Sequence, residues 1–335
     1  MKKYVNLFVF VFMIGACLSQ GRAQTKSAVS YKNPVVDIAM PDPTVIKAAD
    51  GYFYVYATES TRNVPIMKSK DLVEWTYCNT AFTNKTRPRF EPKAGIWAPD
   101  INYINGKYVL YYAMSVWGGE QTCGIGVATA NSPQGPFTDH GKMLRSNEIG
   151  VQNSIDPSLL QYEGRNYLVW GSFRGIYVIE LTADGLSIMP GAKKKRIAGT
   201  AFEAVYIHKH DDYYYMFASI GSCCQGVKST YKVVVGRSKK VWGPYKDKTG
   251  KPMLKNGYSL VIGANDHFVG NGHGSQIIQD DAGQDWLLYH GFSRSTPENG
   301  RILLLDQIKW DQEGWPYVEG GSPSYETQKA PVFNN

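Results

Sequence analysis

Acidic residues stand ahead of strand-like hairpins at four separated places: Asp42 in "PDPTVI", Asp100 in "WAPD", Asp156 in "SIDPSL" and Glu203 in "FEAVYI". Buried carboxylates brought close together cannot all ionise cheaply. One is driven toward its protonated form while another keeps its charge. A pair divided in this way can protonate a leaving group and activate a water in the same step. Glycoside hydrolysis is the commonest use, and in inverting enzymes the two carboxyls stand about 6.5–9.5 Å apart to admit the water. A single Asp-Pro is ordinary turn chemistry. Four acids that recur ahead of similar hairpins need another explanation.

The hairpins supply one. After Asp42 comes "TVIKAADGYFYVYAT", after Asp100 "INYINGKYVLYYAMS", after Asp156 "PSLLQYEGRNYLVWGS", and after Glu203 "AVYIHKHDDYYYMFAS". Each is an apolar strand, a turn rich in Gly, Asp or Asn, and an aromatic strand. A looser fifth unit, "GHGSQIIQDDAGQDWLLYHGF", puts His273 in the polar place. The markers are 58, 56, 47 and 70 positions apart. Further strand-like pieces between hairpins end in "GPF" or "GPY" turns, which read as the outer part of a unit. Self-similarity at this period predicts β-propeller blades. The expected fold is all-β, a five-bladed propeller with the markers in one register around its axis.

Composition agrees. The 335 residues include 23 Tyr, 34 Gly and 17 Pro, a mixture suited to short strands joined by tight turns. No apolar pattern of helical period runs beyond two turns. Residues 1–23 read as an export signal, with Lys2 and Lys3 ahead of an apolar core and cleavage after Ala23. In a second reading, "IGAC" marks a lipoprotein acylated at Cys17. The apolar core is too short for a membrane span and nothing later in the chain is longer. Residues 24–335 are then one catalytic domain without a linker, expected to work as a single chain. The polar tail after about Gly321 is expected to pack loosely on the first blade or fray.

The formal charge is +7, and the only dense basic run is "KKKR" at Lys193–Arg196, which lacks interleaved aromatics. It reads as a solvated loop and not as a nucleic-acid surface. Four cysteines remain beyond the signal, Cys78, Cys123, Cys223 and Cys224, too few for a disulfide scaffold. The adjacent pair is open to either redox state. Trp97, Trp117 and Phe202 lie near strand starts, where they could face sugar rings or pack in the core.

The motifs, in this order, resemble those of glycoside hydrolase family 43. The run "GSCCQGVKSTYKVVVGRSKKVWGPYKDKTG" is similar to a segment of the endo-α-1,5-L-arabinanases in that family, and "GNGHGSQI" to their histidine motif. The likeness spans about residues 33–320. It implies inverting hydrolysis of plant cell-wall arabinan, with Asp42 as general base, Glu203 as general acid, and Asp156 orienting Glu203 and raising its pKa. It further implies that Asn153 binds substrate hydroxyls, that Asp100 is scaffold, and that His273 reaches the axis to hold calcium or a similar cation. Two positions depart from the pattern. Pro41 precedes Asp42 where the endo-arabinanases commonly have His, and Gly274 follows His273 where they usually have Asn. Endo action is therefore weighed against an exo-acting α-L-arabinofuranosidase or β-xylosidase, and against a non-catalytic sugar-binding propeller.

Overall fold

The computed structural model describes Met1 and residues 29–334. Apart from Met1, the export segment read at residues 1–23, with Cys17 and the cleavage point after Ala23, lies outside the described residues.

Among the described residues five antiparallel sheets form the blades, beside one two-stranded pairing of the chain ends, and in four of the five blades the strands follow chain order from the inside outward. Blade one is built from Thr44–Lys47, Phe53–Tyr56, Pro65–Ser69 and Thr76–Thr80. Blade two begins with Gly95–Ile104, blade three with Ser158–Tyr162, blade four with Glu203–His210 and blade five with Phe268–Gly272. The "GPF" and "GPY" turns do lie on the outer side, and each sends an aromatic ring inward. Phe137 packs on Tyr56 and Phe82, while Tyr245 is buried against the third blade.

What makes a ring of these sheets is the apolar seam between each neighbouring pair. Tyr54 and Tyr56 of blade one meet Leu110 and Tyr112 of blade two. Val109 and Tyr111 meet Leu168 and Trp170, and Val169 and Val178 meet Met216 and Val234. Phe217 and Val235 meet Leu287 and Leu304. The circle closes where Leu288 and Leu305 of blade five meet Val45 and Val55 of blade one. Strands in such a fold are apolar on both faces, which explains why the buried middle strands read as near-continuous apolar runs.

Closure is also made through the backbone. The fourth strand of blade five comes from the N-terminal side, Val36–Ala39, paired antiparallel with Ile302–Trp310. The segment "IKWDQEGWPYVEG" contributes the end of the third strand of blade five and a short extra pairing. The tail is not loose. Ser30–Tyr31 pairs with Gln328–Lys329, and the Phe333 ring lies 4.7 Å from that of Phe53. The "KKKR" run departs from a plain loop, because the exposed Lys195 and Arg196 open the outer strand of blade three, Lys195–Ala198. Cys223 and Cys224 are joined in a vicinal disulfide, and Cys78 and Cys123 are free.

Candidate active site

At the top of each innermost strand one residue adopts a left-handed backbone: Asp42, Ala98, Asp156, Ala204 and His273, with φ between 43° and 56°. Side chains other than glycine avoid this region, and its recurrence at one level of all five blades marks an imposed constraint. It also fixes the true register. Asp42, Asp156 and His273 are equivalent, Glu203 lies one residue before that position, and Asp100 lies two residues beyond it. Acid spacing alone does not reveal this offset, because Ala98 occupies the marker position in blade two.

The offset sends Asp100 to a lower layer of the axis. There it is buried and accepts hydrogen bonds from Leu159 N–H (2.8 Å), Asn102 Nδ2 (2.7 Å) and Gln276 Nε2 (2.9 Å). It therefore ties blade two to blades three and five. Burial raises its pKa to about 7. Asp100, Asp156, His273, Thr44 and Gln276 surround an inner cavity of about 20 Å³. Space of that size holds one water-sized occupant.

Above that layer opens a cleft of about 710 Å³ lined by Asp42, Asp156, Glu203, Asn153, Trp97, Trp117, His273 and Arg301, among others. It lies within the range of small-ligand sites. All three acids are buried. Asp42 Oδ2 accepts from Thr58 Oγ1 (2.6 Å), and its Oδ1 faces Arg301 Nη1 (2.7 Å) and His273 Nδ1 (3.3 Å). Burial alone would raise its pKa. The Arg301 guanidinium, followed by His273, outweighs that and holds the carboxyl well below the usual range. The other two behave oppositely. Burial, reinforced by repulsion from Glu203, pushes Asp156 up, and burial pushes Glu203 up despite its hydrogen bonds to Ser172 and Tyr231. One side of the cleft thus carries a charged carboxylate and the other holds a proton.

Neighbouring groups fix these positions. Asp156 Oδ2 accepts from Ala204 N–H (3.1 Å), which links it to the residue after Glu203. Asn153 Nδ2 donates to Ser172 Oγ (2.9 Å), and that hydroxyl donates to Glu203 Oε2 (2.6 Å). Asp42 N–H donates to Nδ1 of His290 (3.0 Å), which is fully buried and held neutral by burial and by Arg301. Tyr231 stacks on His290 with ring centroids 5.6 Å apart. Gly272 in "GNGHGS" leaves room for Tyr231, since a Cβ there would lie 2.2 Å from its ring.

Trp97 and Trp117 form one aromatic wall, their rings 5.5 Å apart, and Trp117 is 79% exposed. Phe202 does not join them. Its side chain points away from that of the adjacent Glu203, as strand alternation requires, and is fully buried in the seam between blades three and four. Phe173 lines the cleft instead. Sequence reasoning missed Phe173, Arg301 and Ser172. "GSF" after the second strand of blade three was a usable signal, because a blade's loop follows there; Arg301 in "ENGRILLL" had none.

A five-bladed propeller with divided carboxyls facing across an axial cleft defines a glycoside hydrolase. The family model for glycosyl hydrolases family 43 matches residues 31–316. The chain is 37% identical over 290 residues to an extracellular endo-α-(1→5)-L-arabinanase of Bacillus subtilis, covering 82% of this chain and 86% of that protein. It is 36% identical over 307 residues to an extracellular exo-α-(1→5)-L-arabinofuranosidase of Cellvibrio japonicus, covering 83% and 86%. The solved α-L-arabinanase of Cellvibrio cellulosa in complex with arabinohexaose superposes with a TM-score of 0.77 at 33% identity, over 85% of this chain and 96% of that one. The chain belongs to glycosyl hydrolases family 43.

Proposed function

We propose that this protein cleaves α-1,5-linked L-arabinan within the polymer and with inversion. The reading rests on the division of charge across one cleft, with Asp42 held ionised by Arg301 while burial keeps a proton on the Asp156–Glu203 side. Asp42 takes a proton from water as the water oxygen bonds to the anomeric carbon. Glu203 gives its proton to the departing sugar oxygen as the glycosidic bond breaks. Asp156 repels charge on Glu203 and, through Ala204 N–H, positions it. Each proton ends on the group that was lacking one, and attack from the face opposite the leaving group inverts the centre. Asn153 and the Trp97–Trp117 wall bind the sugars.

Products from debranched arabinan, separated by size at early times, test the reading. A ladder of arabino-oligosaccharides with inverted anomeric configuration is expected. A retained configuration, or no release, overturns it. The Cellvibrio japonicus relative supports a second reading, removal of units from a chain end, for which free arabinose would be the sole early product.

The inner cavity suits a hard cation in its donor set. His273 lines it beside Asp100 and Asp156, two buried carboxyls that a positive charge would ionise. We assign His273 as its protein ligand, with the carboxylates next to it. A bound calcium would supply fixed positive charge beneath the acids. No helix among the described residues is long and apolar enough to cross a membrane, and two relatives are extracellular proteins. With the segment at residues 1–23, this supports export. One chain supplies the whole cleft, consistent with a monomer.

A further inference from the structure

Far from the cleft, the lower end of the seam between blades four and five carries a second cluster with metal-ligand chemistry. His208 and His210 are alternate residues of Glu203–His210 and share one face, while Lys209 between them is exposed. Strand rise of about 3.3 Å per residue puts the two imidazoles about 17–23 Å along the strand from Glu203. Facing them is Asp285, at the start of Asp285–Ser293 in blade five, with its side chain only 4% exposed. One potential ligand atom from each of the three lies within 4.8 Å of the other two. We propose that His208, His210 and Asp285 form a zinc site that clasps blade four to blade five.

Several features suit a metal better than a plain packed seam. Asp285 is a buried acid, yet among the described residues no lysine or arginine forms an ion pair with it; its contacts are Trp310 Nε1 (2.8 Å), Gln279 Nε2 (3.2 Å) and His210 Nδ1 (3.8 Å). Buried carboxylates are normally paired or bound to metal. The two neutral donors hold its oxygens in place, as outer-shell partners of a metal carboxylate do. Trp310 lies flat on His210, centroids 3.7 Å apart at 4°, and 6.2 Å from His208 at 22°, which sets both imidazole planes. While His210 Nδ1 faces Asp285, its Nε2 faces Asp211 Oδ2 at 3.6 Å, the carboxylate partner usual behind a ligating histidine.

Two imidazoles and one carboxylate favour zinc over calcium, which prefers oxygens. Bonds of about 2.0–2.1 Å in a tetrahedral shell put the donors about 3.3–3.4 Å apart, so the widest separation must close by up to roughly 1.4 Å. Small side-chain rotations of the two histidines supply that, and water takes the fourth place.

The whole secreted chain, stripped with EDTA, is titrated with zinc chloride by calorimetry in millimolar calcium, which occupies any calcium-preferring axial site. One equivalent of zinc is expected to bind with micromolar or tighter affinity and to raise the melting temperature. Cobalt substituted for zinc should give the intense visible bands of a tetrahedral site. H210Q, at a partly exposed position, should weaken zinc at least 10-fold and remove the thermal shift, and H208Q should do the same. H273A, in the axial cleft, should leave zinc binding unchanged. No zinc uptake up to 1 mM overturns the proposal, as does tight binding that survives H208Q and H210Q.

Discussion

Arg301 Nη1 lies 2.7 Å from Oδ1 of Asp42, and the two meet because the ring closes where it does. Ala39 pairs with Ile302, and Met40 N–H donates to the Arg301 carbonyl (2.9 Å), so the N-terminal strand delivers Asp42 beside the guanidinium. Closure of the fold and ionisation of the proposed base are therefore one structural event. Arg301→Ala removes the largest opposing influence on a buried carboxylate whose pKa burial would otherwise raise. Turnover should fall by about 10²-fold, the usual scale for losing one fixed charge in a site. Asp42 must be ionised to act, so the acidic limb of the pH–rate profile should move to higher pH. Arg301→Lys should restore part of both, since it returns the charge without the planar fork. An acidic limb that stays in place in Arg301→Ala would detach Arg301 from the base.

Glu203 is pushed upward, which fixes the other limb. As the proposed acid, Glu203 carries its proton below its folded pKa and loses it as pH rises through it, so activity should decline on the alkaline side above the ordinary glutamate range. The same sign governs stability, because a raised carboxyl pKa means stability that is full at low pH and lost as pH climbs. Glu203→Gln should therefore lose turnover by several orders of magnitude while its melting temperature gains on the wild type as pH increases. Activity assays paired with thermal melts from pH 4 to 9 would show both. A variant that remains active sinks the assignment of the acid.

The extent to which the chain could be read in advance follows from what each feature depends on. Blade number and the three catalytic candidates were legible because hairpin turn and strand patterns repeat, and repetition is a one-dimensional signal. Depth along the axis was not. Asp100 and Glu203 look equivalent in the string, yet the left-handed residues at Ala98 and Ala204 place one two residues below the marker level and the other one above it. Phe202 failed for a related reason: adjacency to Glu203 puts it on the opposite face of the strand. Arg301 acts across the closure seam, through contacts between ends of the chain that no local pattern encodes.

Trp117 should separate binding from chemistry. It is 79% exposed and touches Trp97 in the cleft, so its loss removes part of the wall proposed to bind sugar without opening a cavity in the core. Trp117→Ala should leave the melting temperature within about 1–2 °C, as surface substitutions do. KM for debranched arabinan should rise roughly 3- to 10-fold with kcat little changed, the scale of a lost aromatic contact of about 0.5–1.5 kcal/mol. A fall in kcat at unchanged KM would instead make the wall part of transition-state binding.

Asp306 tests the closure by a route independent of the active site. It is 3% exposed and gathers both ends of the chain, accepting from Ser324 N–H (3.0 Å), Asn33 Nδ2 (3.2 Å) and Tyr289 OH (2.5 Å). Burial raises its pKa from 3.8 to about 6 in spite of those donors. Its folded pKa exceeds the unfolded one, so its contribution to stability is full below about pH 4 and lost as pH rises through about 6. About two pKa units correspond to roughly 2–3 kcal/mol. Asp306→Asn keeps the shape and cannot ionise. Its stability relative to the wild type should therefore improve by that amount between pH 4 and pH 7, measured by denaturant unfolding at each pH. A constant difference across the range would mean that the carboxyl keeps the same charge in the folded and unfolded chain, and that its donors cancel the cost of burying it.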